Sequence, residues 1–104
     1  MAKLVPDEVT KKPWEERDFA IEWASVLYGE TIASVVSVTS ANKETGADST
    51  ATLIKASAIS GTKTLIRLMN HLDGEVHVVS TRLLTSGGQK IEGEFTVVIT
   101  QREH

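Results

Sequence analysis

The sequence contains no cysteine, which excludes disulfide bonds, thiol nucleophiles and cysteine-based zinc sites together. Aromatic residues make up only 5% of the chain, too few and too scattered to form stacking platforms for an oligonucleotide. No apolar run is long enough for a transmembrane helix. The net charge is -3, so no basic excess favours nucleic acid or anionic lipid. We therefore expect neither nucleic acid nor a membrane among its partners.

Proline is confined to the first 17 residues, where Pro6 and Pro13 stand among charged side chains. This stretch has too few apolar residues to fold alone, and its first eight residues lack the apolar centre of a signal peptide. We predict that residues 1–17 form an extended N-terminal arm. The remaining residues, 18–104, have the length and composition of one globular domain.

Period-two alternation of apolar and polar residues begins at Asp18, where Phe19, Ile21 and Trp23 alternate with polar or small neighbours. Similar β-rich segments follow, separated by turn residues. This pattern predicts an antiparallel β-sandwich of about six to eight strands. An amphipathic helix over residues 14–28 is the alternative, because several residues there favour helix.

Two turn signals, Asp73-Gly74 and Ser86-Gly87-Gly88, predict hairpins. A two-residue turn at the first would place Leu68 opposite Val79. A three-residue turn at the second would place Leu83 opposite Ile91, so both hairpins assign the same residues to the inner face. The predicted core is Phe19, Ile21, Trp23, Ile32, Ile54, Ile66, Leu68, Val79, Leu83, Phe95, Val97 and Ile99.

No constellation of catalytic or metal-binding residues is evident. In the predicted first hairpin His71 and His77 point to opposite faces, so we expect no metal site, which needs three or four converging ligands. No serine lies in a Gly-x-Ser-x-Gly context, and Gly87-Gly88 lacks the lysine of a phosphate-binding loop. We therefore expect no cofactor and no enzymatic activity.

Several motifs resemble those of the small phage fibre-tail adaptor proteins, from about residue 11 to residue 100. That family has a Lys-x-Pro-x-Glu element before an Asp-aromatic pair, and later a Leu-x-Gly-Asp-Thr-Ile-Ala segment, for which this chain has Glu30 in place of Asp. The matching residues are Lys11-Lys12-Pro13-Trp14-Glu15 with Asp18-Phe19, Ile21-Glu22-Trp23, Leu27 with Gly29-Glu30-Thr31-Ile32-Ala33, His77 with Val79 and Thr81, Thr85-Ser86-Gly87-Gly88, and Phe95-Thr96-Val97.

The resemblance implies an immunoglobulin-like sandwich in the tail of a phage virion, made in the bacterial host cytoplasm and joining the tail to its fibres. Its partners would be other tail and fibre proteins, in a homo-oligomeric ring. We expect the arm to clasp a neighbouring subunit. The predicted partner-binding residues are Pro13, Trp14, Glu15, Arg17, Arg67 and Arg82.

Two alternatives stay open on the sequence. One is another phage structural protein of this size, such as a head-completion, decoration or tail-tube protein. The other is an adhesive or carbohydrate-binding sandwich outside phages, which a platform of exposed aromatics would favour.

Overall fold

The computed structural model describes residues 8–101. Over this range the chain forms seven strands and two helices of four residues each. In chain order the elements are β1 (Glu8–Lys11), β2 (Arg17–Glu22), α1 (Ala24–Leu27), β3 (Ile32–Asn42), α2 (Thr50–Leu53), β4 (Ile54–Ser60), β5 (Lys63–Leu68), β6 (Val76–Thr85) and β7 (Lys90–Ile99). The alternative of a helix over residues 14–28 is wrong except in α1.

The strands form two sheets, ordered β1-β7-β6-β3 and β2-β5-β4. The pair β1–β7 is parallel, and the other neighbours are antiparallel. The sheet β2-β5-β4 packs against the sheet that contains β7, β6 and β3. This is the arrangement of an immunoglobulin-like sandwich. The predicted all-β sandwich is therefore confirmed. Within the described residues, neither helix is long and apolar enough to cross a membrane.

The core between the sheets contains the predicted residues, all of them buried except Ile54, which is half-buried. The sequence prediction missed Leu27 and Leu53, which the short helices α1 and α2 place in the same core. Each large apolar side chain buried here stabilises the fold by roughly 2 kcal/mol.

The predicted hairpin at Ser86-Gly87-Gly88 is confirmed, with Leu83 opposite Ile91 in the register of β6 and β7. The same turn contacts the Gly29-Glu30-Thr31 segment, which belongs to another of the family-like motifs. Thr31 and Ser86 exchange two hydrogen bonds, of 2.8 and 3.0 Å, and Gly87 packs so closely on Glu30 that a Cβ would overlap its carboxylate. A side chain at position 87 would therefore require the Glu30 carboxylate to move.

The predicted hairpin at Asp73-Gly74 is wrong, because β5 and β6 belong to different sheets. Residues 69–75 carry the chain from one sheet to the other, and Gly74 N–H donates to the Ile99 carbonyl at 2.8 Å. Leu68 and Val79 are nevertheless both buried. Alternation along each strand determines which side chains face inward, whichever strand lies beside it.

The N-terminal arm needs a correction over residues 8–11. These residues form β1, which pairs with β7 of the same chain, and Val9 packs against the core. Pairing within the chain satisfies the backbone groups along one edge of β7. Residues 1–7 lie outside the described residues, and the domain boundary at residue 17 stays a prediction.

Candidate partner-binding surface

A tight turn over Lys12–Glu15 connects β1 to β2. Glu15 N–H donates to the Lys12 carbonyl at 3.1 Å, and Lys12 N–H donates to Glu15 Oε1 at 2.8 Å. Pro13 occupies the second position of the turn, where its fixed φ is favourable. The buried Lys11 ammonium donates to the Lys12 carbonyl at 2.9 Å. The Lys-x-Pro-x-Glu motif thus builds a turn held by backbone and side-chain hydrogen bonds.

This turn presents Trp14 to solvent, with 84% of the residue exposed. Leu72, which is 66% exposed, lies in the same open groove. The Pro13 carbonyl accepts a hydrogen bond of 2.8 Å from His71 N–H, which joins the turn to the connection between β5 and β6. We call the residues that line this groove the Trp14 surface: Pro13, Trp14, Thr52, Asn70, His71 and Leu72.

Tryptophan is enriched among the residues that contribute most to protein–protein binding, and here it lies in one groove with a second exposed apolar side chain, so this groove is a candidate contact site. The sequence prediction included Pro13 and Trp14 but missed the other four residues of the Trp14 surface. The predicted hairpin at Asp73-Gly74 would place Leu72 at the end of a strand, and nothing in the neighbouring sequence shows that the chain contacts the Pro13–Trp14 turn there.

Glu15 and Arg17 lie next to this surface. Glu15 is half-buried, with its carboxylate 3.8 Å from the Arg17 guanidinium. Arg17 also lies over the ring of Phe19, at 5.4 Å from its centroid. The structure therefore groups Glu15 and Arg17 with Pro13 and Trp14 at the start of β2.

Arg67 and Arg82 are not brought to the same place. Arg67 projects from the outer face of the three-stranded sheet, where it forms a bidentate pair with Asp18 at 2.8 and 3.0 Å. Arg82 projects from the outer face of the other sheet and pairs with Glu92 at 3.0 Å. These two predicted residues lie on opposite sides of the sandwich.

The Arg67 guanidinium lowers the pKa of Asp18 from its ordinary 3.8, chiefly through their hydrogen bonds. The folded state thus holds Asp18 ionised at a pH where the unfolded chain takes up a proton. The pair therefore contributes stability above pH 3.8, and this contribution is lost as the pH falls through the lowered pKa.

We expect Asp18→Asn to lower the urea midpoint at neutral pH by a small amount, and the difference from the wild type to disappear in acid. This difference in urea midpoint is measured by urea unfolding followed by circular dichroism between pH 2 and 7, with about one measurement per pH unit. Glu44→Gln, in an exposed loop, is the matched control and should show no such pH-dependent difference. A difference between Asp18→Asn and the wild type that stays constant down to the lowest pH would contradict the prediction.

The histidine prediction is also wrong, because His71 and His77 lie side by side. Their rings are 4.6 Å apart in a T-shaped arrangement. His71 Nδ1 and His77 Nε2 both lie 2.9 Å from Glu75 Oε1. The error follows from the false hairpin, since the connection between the sheets brings His71 back beside β6.

Burial, with a smaller effect of His77, lowers the pKa of His71, which favours a neutral imidazole. The hydrogen bond with His77 lowers the pKa of Glu75. Among the described residues, His71, Glu75 and His77 form the group with the geometry to hold a metal ion. The expectation of no metal site therefore rested on incorrect geometry.

The comparison with known families agrees with the resemblance in the motifs. Residues 11–98 match the model of the family described as podophage GP4 fiber-tail adaptor protein gp77. No curated protein matches the sequence. The matched range begins at Lys11, includes the Pro13–Trp14 turn and ends near the close of β7. The chain therefore belongs to the podophage fiber-tail adaptor family, whose role is a structural one in the phage tail.

Proposed function

We propose that this protein is an adaptor that joins the tail of a podophage to its fibres through protein–protein contacts. The family match over residues 11–98 carries this proposal. It favours the adaptor over the head-completion, decoration, tail-tube and carbohydrate-binding alternatives. The protein would be made in the host cytoplasm, act in the virion and catalyse no reaction.

The Trp14 surface is the proposed contact with a tail or fibre protein. Trp14 and Leu72 supply the apolar centre, and the turn holds Trp14 in a defined place, which reduces the entropy lost on binding. Glu15 and Arg17 would form the polar rim beside it.

A homo-oligomeric ring is the proposed assembly. In a ring each subunit uses two different faces, one for each neighbour. Arg67 and Arg82, on opposite outer faces, suit contacts with different neighbours. β4 supports the same proposal, because it is an edge strand whose residues after Ile54 are exposed on both faces. The arm predicted over residues 1–17 would add to such an edge in a neighbouring subunit through the residues that precede β1.

Phage particles made without this protein test the proposal directly. The gene is deleted from the phage, and the wild-type chain is supplied from a plasmid in the host. We expect particles with filled heads and no fibres in negative-stain electron microscopy, and recovery of the fibres with the plasmid. A plasmid for the chain without residues 2–7 tests the arm separately.

Two outcomes would contradict the adaptor proposal. One is a full set of fibres on particles that lack the protein. The other is absence of the protein from purified wild-type particles analysed by mass spectrometry. Normal fibres with the arm-deleted chain would reject the arm contact and leave the adaptor role in place.

A further inference from the structure

Three donor atoms converge where the connection between β5 and β6 returns to the four-stranded sheet. They are His71 Nδ1, Glu75 Oε1 and His77 Nε2, and all lie within 4.8 Å of one another. We propose that these three residues bind a divalent transition-metal ion, with zinc as the natural occupant. Two imidazoles and one carboxylate are a common donor set for zinc, with water as the fourth ligand.

The ring nitrogens that face away from the cluster are held by hydroxyl groups. His77 Nδ1 lies 2.8 Å from Ser49 Oγ, which in turn lies 2.7 Å from Ser40 Oγ. His71 Nε2 lies 3.2 Å from Thr52 Oγ1. Histidines that bind metals commonly have the other nitrogen held in this way, because the contact sets both tautomer and ring orientation. The cluster thus has its ligands already oriented.

Burial also fits a metal site. The side chain of His77 is 1% exposed, that of His71 13% and that of Glu75 28%, so the cluster is largely shielded from solvent and most accessible at Glu75. A water molecule could complete the coordination there. His71 Nδ1 is buried without a well-formed hydrogen bond, although it lies near the carboxylate. A bound ion would give this nitrogen a partner.

One nearby positive charge, the Lys11 ammonium, disfavours the binding of a metal ion to the cluster. The Lys11 ammonium is close enough to disfavour a positive charge on His71. Its hydrogen atoms are directed to the carbonyls of Lys12 and Pro13, at 2.9 and 3.4 Å. The Glu75 carboxylate lies 2.9 Å from both imidazoles, and its negative charge offsets this repulsion when an ion binds.

Zinc at this position would hold His71 and Glu75, in the connection between β5 and β6, against His77 at the start of β6. His71 also lines the Trp14 surface, and its backbone N–H holds the Pro13 carbonyl. The ion would therefore stabilise one wall of that surface. The metal site does not depend on the proposed function, because it rests on three side chains of this chain alone.

Thermal unfolding of the full chain tests the site. The protein is treated with EDTA, dialysed at neutral pH and titrated with zinc chloride. At about 100-fold excess of free zinc over the dissociation constant, we expect the melting temperature to rise by on the order of 10 °C. Cobalt(II) is the second probe, and its visible absorption band should report a four-coordinate site.

Substitutions locate the ion. We expect His71→Gln and Glu75→Gln to abolish the zinc-dependent rise, and Thr52→Val to weaken zinc binding by about 10-fold. Glu44→Gln is the control for loss of a carboxylate and should behave as the wild type. Each variant is first melted in EDTA, so that loss of folding is separated from loss of binding. Thr52→Val tests the site without removing a ligand if either ligand variant fails to fold.

Two results would overturn the proposal. The first is no change in melting temperature and no cobalt band in the wild-type chain. The second is a zinc-dependent rise in melting temperature that persists, with unchanged affinity for zinc, in Thr52→Val and in every ligand variant that folds. That result would show an adventitious ion only.

Discussion

Replacing Trp23 with alanine is expected to lower the free energy of unfolding by about 3–5 kcal/mol. Trp23 is 2% exposed and lies in the core, directly after β2. Its indole N–H donates to Thr64 Oγ1 at 3.0 Å, and both groups are buried. A Cβ at Gly93 would lie 2.8 Å from its ring, which shows how closely the indole packs on β7. Alanine would leave a large cavity and an unpaired buried hydroxyl.

The other tryptophan of the chain provides the matched control. Trp14 is 84% exposed, so Trp14→Ala should change the free energy of unfolding by less than about 0.5 kcal/mol. Urea unfolding followed by far-ultraviolet circular dichroism is the measurement, because the substitutions remove the fluorescent groups. Similar losses in the two alanine variants would contradict the assigned positions of the tryptophans.

A second variant covers the case in which Trp23→Ala does not fold. Trp23→Phe keeps most of the apolar contact but removes the indole N–H from the buried Thr64 hydroxyl. We expect a loss of about 1–3 kcal/mol, the typical result of leaving one buried polar group without its partner. A Trp23→Phe protein as stable as the wild type would show that this hydrogen bond contributes little.

On the proposed contact, Trp14→Ala should have its large effect on binding to a tail or fibre protein instead. We expect the affinity for the tail or fibre partner to fall by about 30-fold or more, corresponding to about 2 kcal/mol. The reason is that a rigidly presented indole buries a large apolar area in a partner pocket at low entropic cost. Calorimetry with purified tail and fibre proteins measures the affinity, and fibre counts on particles measure the consequence.

Tyr28→Ala is the matched control for binding. Tyr28 is 85% exposed, as Trp14 is, but it lies at the end of α1 and outside the Trp14 surface. We expect it to bind as the wild type does. A folded Trp14→Ala protein with normal affinity would reject the Trp14 surface as the contact. If Tyr28→Ala lost affinity and Trp14→Ala did not, the adaptor role would stand, and the contact would be assigned to the end of α1 instead.

The residues of the inner face could be predicted from the sequence because alternation is local. Phe19 and Ile21 point inward from β2, as Val79 and Leu83 do from β6, and no knowledge of neighbouring strands is needed. The hairpin at Ser86-Gly87-Gly88 was predictable for a similar reason, since the turn residues and both strands lie within one short stretch.

The candidate site was only partly predictable. The Lys-x-Pro-x-Glu motif marked Pro13 and Trp14, and the Lys12–Glu15 turn is built from hydrogen bonds among neighbours in the sequence. Leu72 and His71 join that turn through a contact between residues far apart in the chain. Such a contact depends on where the two sheets place the connection, so no local pattern indicates it.

The sequence by itself determined the all-β class, the inner face of each strand and the family, because these follow from residue alternation, turn chemistry and motifs that are continuous in the chain. Only the tertiary structure decided that β5 and β6 lie in different sheets, that β1 pairs with β7, and that His71 meets Glu75 and His77. A turn such as Asp73-Gly74 is compatible with a hairpin or with a crossing between sheets. The choice depends on which arrangement buries the core, and that is a property of the whole chain.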